Sequence, residues 1–264
     1  MFKPKKSLGQ NFLRDDKILN KIIEAASLKP DDLVLEIGPG QGILTEKITG
    51  KVKKVWAVEI DSRLAENLKA KFKDSNVEIF QNDILKIDIN ALVKKSRYKV
   101  VANIPYYITA PIIRRLLEAD NPPVEIILMV QKEVAERITA KPGKMSLLAV
   151  SVQYYAKAEW LFNVSRNCFY PVPEVDSAVI LLSNIKSFNQ ELNKIFFKLL
   201  RIGFAAKRKT LLNNIINGLH IDREKAIKII KKVGLDSTVR AQELYVADWE
   251  KLATLLKKYK PDQY

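Results

Sequence analysis

Five short apolar runs, alternating with helix-patterned stretches, constrain this chain more than any other feature. They are Leu33-Val34-Leu35-Glu36-Ile37, Val55-Trp56-Ala57-Val58-Glu59, Val77-Glu78-Ile79-Phe80, Tyr98-Lys99-Val100-Val101-Ala102 and Ile126-Ile127-Leu128-Met129-Val130. Their length and β-branched content are those of buried strands. Helical patterning follows residue 42 to about Thr49, runs from Ser62 to Phe72, and covers Ala110 to Leu117. Asp15-Asp16 can cap an earlier helix reaching Ser27, with Ile18, Leu19, Ile22 and Ile23 as its apolar stripe. Strands and helices in this rhythm predict βαβ units and a mainly parallel sheet.

The rhythm then changes. Helices are expected around Glu133–Ile138 and Leu147–Tyr155, followed by extended runs at Ala158–Val164 and Ser177–Leu182. These two runs read as an antiparallel pair closing one sheet edge, with the Pro-rich loop 167–173 between them. From Asn184 onward the pattern is helical only, near 191–205, 208–217, 222–233 and 248–259, with Gly218 and Gly234 at expected helix stops. The expected organisation is an α/β domain over 1–184 and a small all-helical domain over 185–264. A chain of 264 residues suits that division.

The net charge is +15, and residues 185–264 alone hold 17 Lys/Arg against 8 Asp/Glu, a net +9. Such clustering favours a polyanionic partner, because each neutralised phosphate releases counterions. No apolar run approaches a membrane span, and the basic start Met1-Phe2-Lys3-Pro4-Lys5-Lys6 lacks the apolar core of a secretory signal. One cysteine, Cys168, excludes an intramolecular disulfide framework and fits a reducing compartment; one histidine, His220, argues against a thiol catalyst or a zinc site. No metal is expected. The absence of an apolar heptad seam points to a monomer.

Three strand ends carry the chemistry. Gly38-Pro39-Gly40-Gln41-Gly42 stands where a strand turns into a helix, and glycine permits both positive φ and close ligand approach. Glu59 ends the next strand, 21 residues after Gly38, where a carboxylate can take both hydroxyls of a ribose. The turn reads G-x-G-x-G, departing from the G-x-G-x-x-G of dinucleotide sites. Glu36 beside it would repel a pyrophosphate but suits a cofactor bearing an ammonium and a sulfonium, so S-adenosyl-L-methionine (SAM) fits better than NAD. Asp83 follows the third strand, placed to accept from an adenine amino group while Ile84 packs on the ring. Each acid alone could be an ordinary surface carboxylate.

Asn103-Ile104-Pro105-Tyr106 closes the fourth strand. An Asn amide oxygen and a Pro-stiffened backbone carbonyl can both accept from one –NH2 group, and a Tyr ring can stack on a flat base. The stretch resembles the Asn/Asp-Pro-Pro-aromatic signature of methyltransferases acting on amino nitrogens, with Ile at the second position. Taken alone it could equally be a turn.

Further segments join these: Ser7-Leu8-Gly9-Gln10-Asn11-Phe12-Leu13, Phe169-Tyr170-Pro171-Val172-Pro173-Glu174-Val175-Asp176-Ser177, Gly203-Phe204-Ala205-Ala206-Lys207-Arg208-Lys209-Thr210-Leu211, Arg240, Glu243-Leu244 and Asp248-Trp249. In order and spacing the set resembles the KsgA family, the small-subunit ribosomal RNA adenine N6,N6-dimethyltransferases, over essentially the whole chain. The resemblance implies a Rossmann-like SAM-dependent methyltransferase sheet, mainly parallel with an antiparallel edge, and a helical C-terminal domain. It implies cytoplasmic methyl transfer from SAM to N6 of two adjacent adenosines in the 3′-terminal hairpin loop of 16S rRNA, on immature 30S particles during ribosome biogenesis. Its cofactor contacts carry over to Asn11, Leu13, Gly38, Glu59, Asp83 and Asn103, and Glu36, Gly40, Ile60 and Ile84 complete the expected set. Asn103 and Pro105 would hold the amine, with Tyr106 and Phe169 on the two faces of the base. Arg201, Lys207, Arg208 and Lys209 would contact RNA phosphates. Met145-Ser146 stands where the family usually has Tyr-Gly. A large-subunit rRNA adenine dimethyltransferase of the antibiotic-resistance type would share the fold and the tetrapeptide, and a non-catalytic assembly or transcription factor could share the fold. The Gly203–Leu211 segment favours the small-subunit type.

Overall fold

The computed structural model describes residues 3–5, 8–186 and 190–259. Ser7, which opens the expected N-terminal motif, lies outside the described residues, as do Met1, Phe2 and Lys6 of the basic start. The chain divides into two compact units, Met1–Glu136 with Ala156–Lys186, and Arg137–Tyr155 with Ser187–Tyr264. The boundary expected at 184/185 is therefore incomplete, since residues 137–155 group with the C-terminal helices. The reason is aromatic: Tyr154 stacks on Phe196 with ring centroids 3.8 Å apart, and its hydroxyl donates to Asn193 Oδ1 at 2.9 Å.

In chain order the first unit contains β1 (Phe12–Leu13), α1 (Asp16–Ala26), β2 (Leu33–Ile37), α2 (Ile43–Thr49), β3 (Lys54–Glu59), α3 (Ser62–Lys71), β4 (Val77–Gln81), α4 (Ile89–Val93), β5 (Lys99–Asn103), α5 (Thr109–Leu117) and β6 (Glu125–Gln131). Helix α6 (Lys132–Ile138) spans the unit boundary, and α7 (Leu147–Tyr155) belongs to the second unit. The chain returns to the first unit as β7 (Lys157–Val164), β8 (Phe169–Tyr170) and β9 (Ser177–Ser183). Seven strands form one sheet in the order β4-β3-β2-β5-β6-β9-β7. The first five are parallel, while β9 runs antiparallel to both β6 and β7. This is the expected sheet with its antiparallel edge. Strand order reverses between β2 and β5, the switch point where open α/β sheets place ligands.

Strands β2, β3, β5 and β6 are covered on both faces, so their runs are nearly all apolar. Glu36 and Glu59 interrupt them where the strands meet the site, and Lys99 interrupts β5, where its burial has a cause. Its Nζ donates to the carbonyls of Ala26 and Ser27 at 3.0 and 3.1 Å, closing the C-terminus of α1, and faces Asp32 and Glu125 at 3.2 and 3.1 Å. A separate two-stranded ribbon pairs β1 with β8, Phe12 opposite Tyr170 and Leu13 opposite Phe169. It joins the N-terminal motif to the Pro-rich loop.

The second unit contains α7, α8 (Gln190–Gly203), α9 (Leu211–Leu219), α10 (Arg223–Lys232) and α11 (Val246–Tyr259). Helix α9 starts three residues later than the expected 208. Thr210 is its cap and accepts from Asn213 N, so Lys207, Arg208 and Lys209 sit in the exposed turn before it. Gly218 is not a helix stop: α9 continues to His220, the left-handed cap. A Cβ at Gly218 would meet Ile202 Cγ2 at 2.4 Å, so the glycine serves close packing against α8. Gly234, with φ +84°, does follow the end of α10. Among the described residues no helix is long and apolar enough to cross a membrane, and no cluster of three or more His, Cys, Asp or Glu could share a metal ion.

Candidate active site

The ends of β2, β3, β4 and β5 open onto one cavity of about 190 Å³ within the first unit. Glu36, Gly38, Gly40, Glu59, Ile60, Asp83, Ile84, Asn103, Pro105 and Tyr106 all line it, and so do Asn11, Leu13 and Phe169 from the β1–β8 ribbon. Arg201 and Lys207–Lys209 belong to the second unit, and all four are exposed.

Glycine geometry shapes the floor. Gly38, Gly40 and Gly42 have φ of +67°, +60° and +76°, a region side chains disfavour. A Cβ at Gly40 would press on the Phe12 ring at 3.1 Å, and one at Gly42 would strike Leu68 at 2.6 Å. The turn therefore requires glycine for its own conformation and for its neighbours.

Three acids surround this floor. Glu36 is 1% exposed, and burial pushes its carboxyl up to about 8, with the Glu59 charge adding to the shift. The Thr45 hydroxyl is near enough to oppose that shift, yet neither its Oγ1 nor Glu36 Oε2 completes a hydrogen bond. A buried oxygen without a donor is costly unless something binds there. Glu59 is also raised, chiefly by burial, although Gly40 N and Asp61 N donate to its two oxygens at 3.1 and 2.9 Å. Asp83 Oδ1 accepts from Leu85 N at 2.9 Å, and its Oδ2 faces Lys86 at 4.0 Å. Ile60, 48% exposed, presents apolar surface between these acids. An acid-rich, glycine-floored cavity with a buried acceptor still lacking a donor fits a cationic nucleoside such as SAM. A pyrophosphate would meet three acidic side chains and, among the described residues, no basic side chain lining the cavity.

At the end of β5, Ile104 is buried and Asn103, Pro105 and Tyr106 are half-buried. The Pro105 carbonyl accepts from Ile108 N at 3.2 Å, closing a short 3₁₀ turn over Tyr106–Ile108. The Pro105 carbonyl is thereby engaged within the turn. The Tyr106 hydroxyl shares a 2.7 Å hydrogen bond with Ser177 Oγ, and burial raises its pKa. Phe169 is only 4% exposed and packs with Leu13 and Val164, so it is a wall of the cavity rather than an open platform. Reading the residues alone misses Tyr107, which borders the cavity 61% exposed, and Asp61, while Gln10 and Ser177 fall inside the N-terminal and Pro-rich motifs without an assigned role. Only adjacency hints at the first two: Tyr107 follows the tetrapeptide and Asp61 stands two residues beyond Glu59.

Ser146 of the Met145-Ser146 pair caps α7, its Oγ accepting from Ala149 N at 3.2 Å, and Met145 is buried. Cys168 donates to Asp15 Oδ2 at 3.5 Å, and its thiol is pushed up by burial and by that carboxylate, the opposite of an activated nucleophile.

Comparison with known proteins matches the chain to one family along nearly its whole length. The model of the family described as ribosomal RNA adenine dimethylase matches residues 1–258. Ribosomal RNA small subunit methyltransferase A of Geobacillus thermodenitrificans is 44% identical over 271 residues, covering 97% of this chain and 92% of the relative. The protein of that name from Dehalococcoides mccartyi is 42% identical over 256 residues, covering 95% and 87%. Among solved structures, a dimethyladenosine transferase from Plasmodium falciparum superposes with TM-score 0.82 at 30% identity, over 94% of this chain and 98% of that one. The 23S rRNA methyltransferase ErmE superposes with TM-score 0.75 at 28% identity, over 93% and 99%.

Proposed function

We infer, from the premise that this chain belongs to the ribosomal RNA adenine dimethylase family, that it dimethylates N6 of adenosines in small-subunit rRNA. The substrate proposed is the pair of adjacent adenosines in the 3′-terminal hairpin loop of 16S rRNA, presented by immature 30S particles. The observation that carries this reading is the Asn103–Tyr106 turn opening on the cavity of Glu36, Glu59 and Asp83. Glu59 would take the ribose hydroxyls, Asp83 the adenine amine, Ile60 and Ile84 the ring faces, and Glu36 the ammonium; Asn11, Leu13, Gly38 and Gly40 would complete the seat. When bound, SAM supplies a methyl group on a positively charged sulfonium.

The chain's own residues do the rest. An adenine amine is a poor nucleophile because its lone pair is conjugated into the ring. Asn103 Oδ1 and the Ile104 carbonyl accept its two N–H bonds and draw the nitrogen toward tetrahedral geometry. In each transfer the N6–C bond would form as the methyl's bond to sulfur breaks, the sulfur would leave as a neutral thioether, and the proton shed from N6 would pass to solvent. Orientation and electrostatics carry the rate, with no strong general base required. The base must leave its stack to enter. Tyr106, held through its hydroxyl by Ser177, offers a ring to one face, worth about 1–3 kcal/mol by analogy with single-strand binders. Phe169 bounds the far side.

The test is labelled methyl transfer from SAM to immature small-subunit particles and, separately, to free large-subunit RNA. Methylation of the particles alone is expected, with Asn103→Ala losing most transfer while keeping RNA affinity within about threefold. The likeness to ErmE favours a second reading, a large-subunit enzyme, and transfer only to large-subunit RNA would establish it instead. An Asn103→Ala protein that dimethylates at wild-type rate would remove the amine clamp.

A further inference from the structure

Asp61 does not line the cavity, yet its side chain is 0% exposed and five donors converge on it. Arg63 forks onto the carboxylate, Nη2 to Oδ2 at 2.7 Å and Nε to Oδ1 at 3.1 Å, and adds its backbone N–H at 3.2 Å. That fork alone would satisfy the charge. Two more donors arrive from the other end of the sequence. Lys5 Nζ reaches Oδ1 at 3.1 Å, and Gln10 Nε2 reaches Oδ2 at 3.1 Å. The Lys5 backbone N–H also donates to Gln10 Oε1 at 2.8 Å, so both ends of the Gln10 amide are held. Arg63 first, then Gln10 and Lys5, hold the Asp61 carboxyl well below the usual range.

Asn11 and Leu13 follow Gln10 directly and form one wall of the cavity. At its far end the segment is fastened by the two-residue pairing of β1 with β8 and by Arg14 N donating to the Cys168 carbonyl at 2.9 Å. A two-residue ribbon is marginal without further support.

We propose that Asp61 is a positioning residue for cofactor binding, latching the segment that carries Asn11 and Leu13 against the cavity through Lys5 and Gln10. The proposal rests on the reading of this cavity as the seat of SAM. Asp61 acts through the segment and touches no reacting atom.

The informative variant is Lys5→Met, because Lys5 does not line the cavity whereas Gln10 does. It opens the latch from the N-terminal side and leaves Gln10, Arg63 and the buried carboxylate, which also caps α3 by accepting from Arg63 N, in place. Amide hydrogen exchange over residues 11–14 of the unliganded protein should rise roughly tenfold or more, with β2 and β3 unchanged. The Kd and KM for SAM should rise about tenfold while kcat at saturating SAM stays within about twofold, a split that general loss of structure would not produce. Asp61→Asn should weaken SAM comparably, and adding it to Lys5→Met should cost little more. Unaltered exchange over 11–14 overturns the latch whether or not SAM binds. Faster exchange with unaltered SAM affinity overturns the positioning role. A wild-type protein that takes up no SAM overturns the reading of the cavity, whereas a wild-type that binds it leaves these variants to judge the latch.

Discussion

At the scale of single residues, burial turns ordinary side chains into specialised ones. Glu36 is readable as an acid ahead of a glycine turn, but its enclosure and its unpaired Oε2 exist only in the fold. Its carboxyl rises from an ordinary 4.5 to about 8, so the folded protein holds that proton more tightly than the unfolded chain does. Its contribution to stability is complete below the unfolded value and is lost as pH climbs through about 8. Between those limits the unliganded protein should lose up to ~1.4 kcal/mol per pH unit from this group, with Glu59 adding in the same direction. Glu36→Gln should flatten the decline. Urea midpoints from pH 5 to pH 9 check this, and parallel curves for variant and wild type would rule out the upward shift of the Glu36 carboxyl. Lys99 shows the same lesson: a lysine in a buried strand looks misplaced until the carbonyls of α1 appear beside its Nζ.

At the scale of elements, apolar periodicity locates the strands of the main sheet because each fills a whole buried row. It fails where elements are too short to have a period. The two-residue β1 and β8 and the five-residue α4 carry no such signal, so periodicity gives no sign of the ribbon that brings Asn11, Leu13 and Phe169 to the cavity. Glycine misleads at Gly218 for a related reason, since a stop and a close helix contact call for the same residue. Gly203 is of the second kind: a Cβ there would lie 2.3 Å from Trp249 Cη2, and Trp249 is fully buried against Phe204. Gly203→Ala should therefore cost about 1–3 kcal/mol by overpacking, although the same exchange in an open helix stabilises. Gly50 supplies the control, with no atom within 4 Å of its Cβ position and φ of −75°. Gly50→Ala should leave the melting temperature nearly unchanged. Equal shifts for the two variants would show that the packing of Gly203 on Trp249 does not matter.

At the scale of the whole molecule, charge and chemistry are divided between units. The acids that make the cavity belong to the first unit, while the C-terminal 80 residues carry a net +9 from 17 Lys/Arg against 8 Asp/Glu. On the proposed function, the exposed turn of Lys207, Arg208 and Lys209 meets RNA phosphates. Replacing all three by alanine should weaken rRNA binding and flatten its dependence on log salt by about 0.7–0.9 for each phosphate no longer neutralised. An unchanged slope in filter binding from low to high salt would place the RNA elsewhere. The sheet, its antiparallel edge, the glycine turn and the order of the acids are all legible in the chain, because periodicity and motif spacing are local properties. Folding in three dimensions settles the rest: which side chains share the cavity, that residues 137–155 group with the C-terminal helices, and that Asp61 holds Lys5 and Gln10. Those outcomes depend on contacts between residues tens of positions apart and on the exclusion of water around them, and neither is encoded in any short stretch of chain.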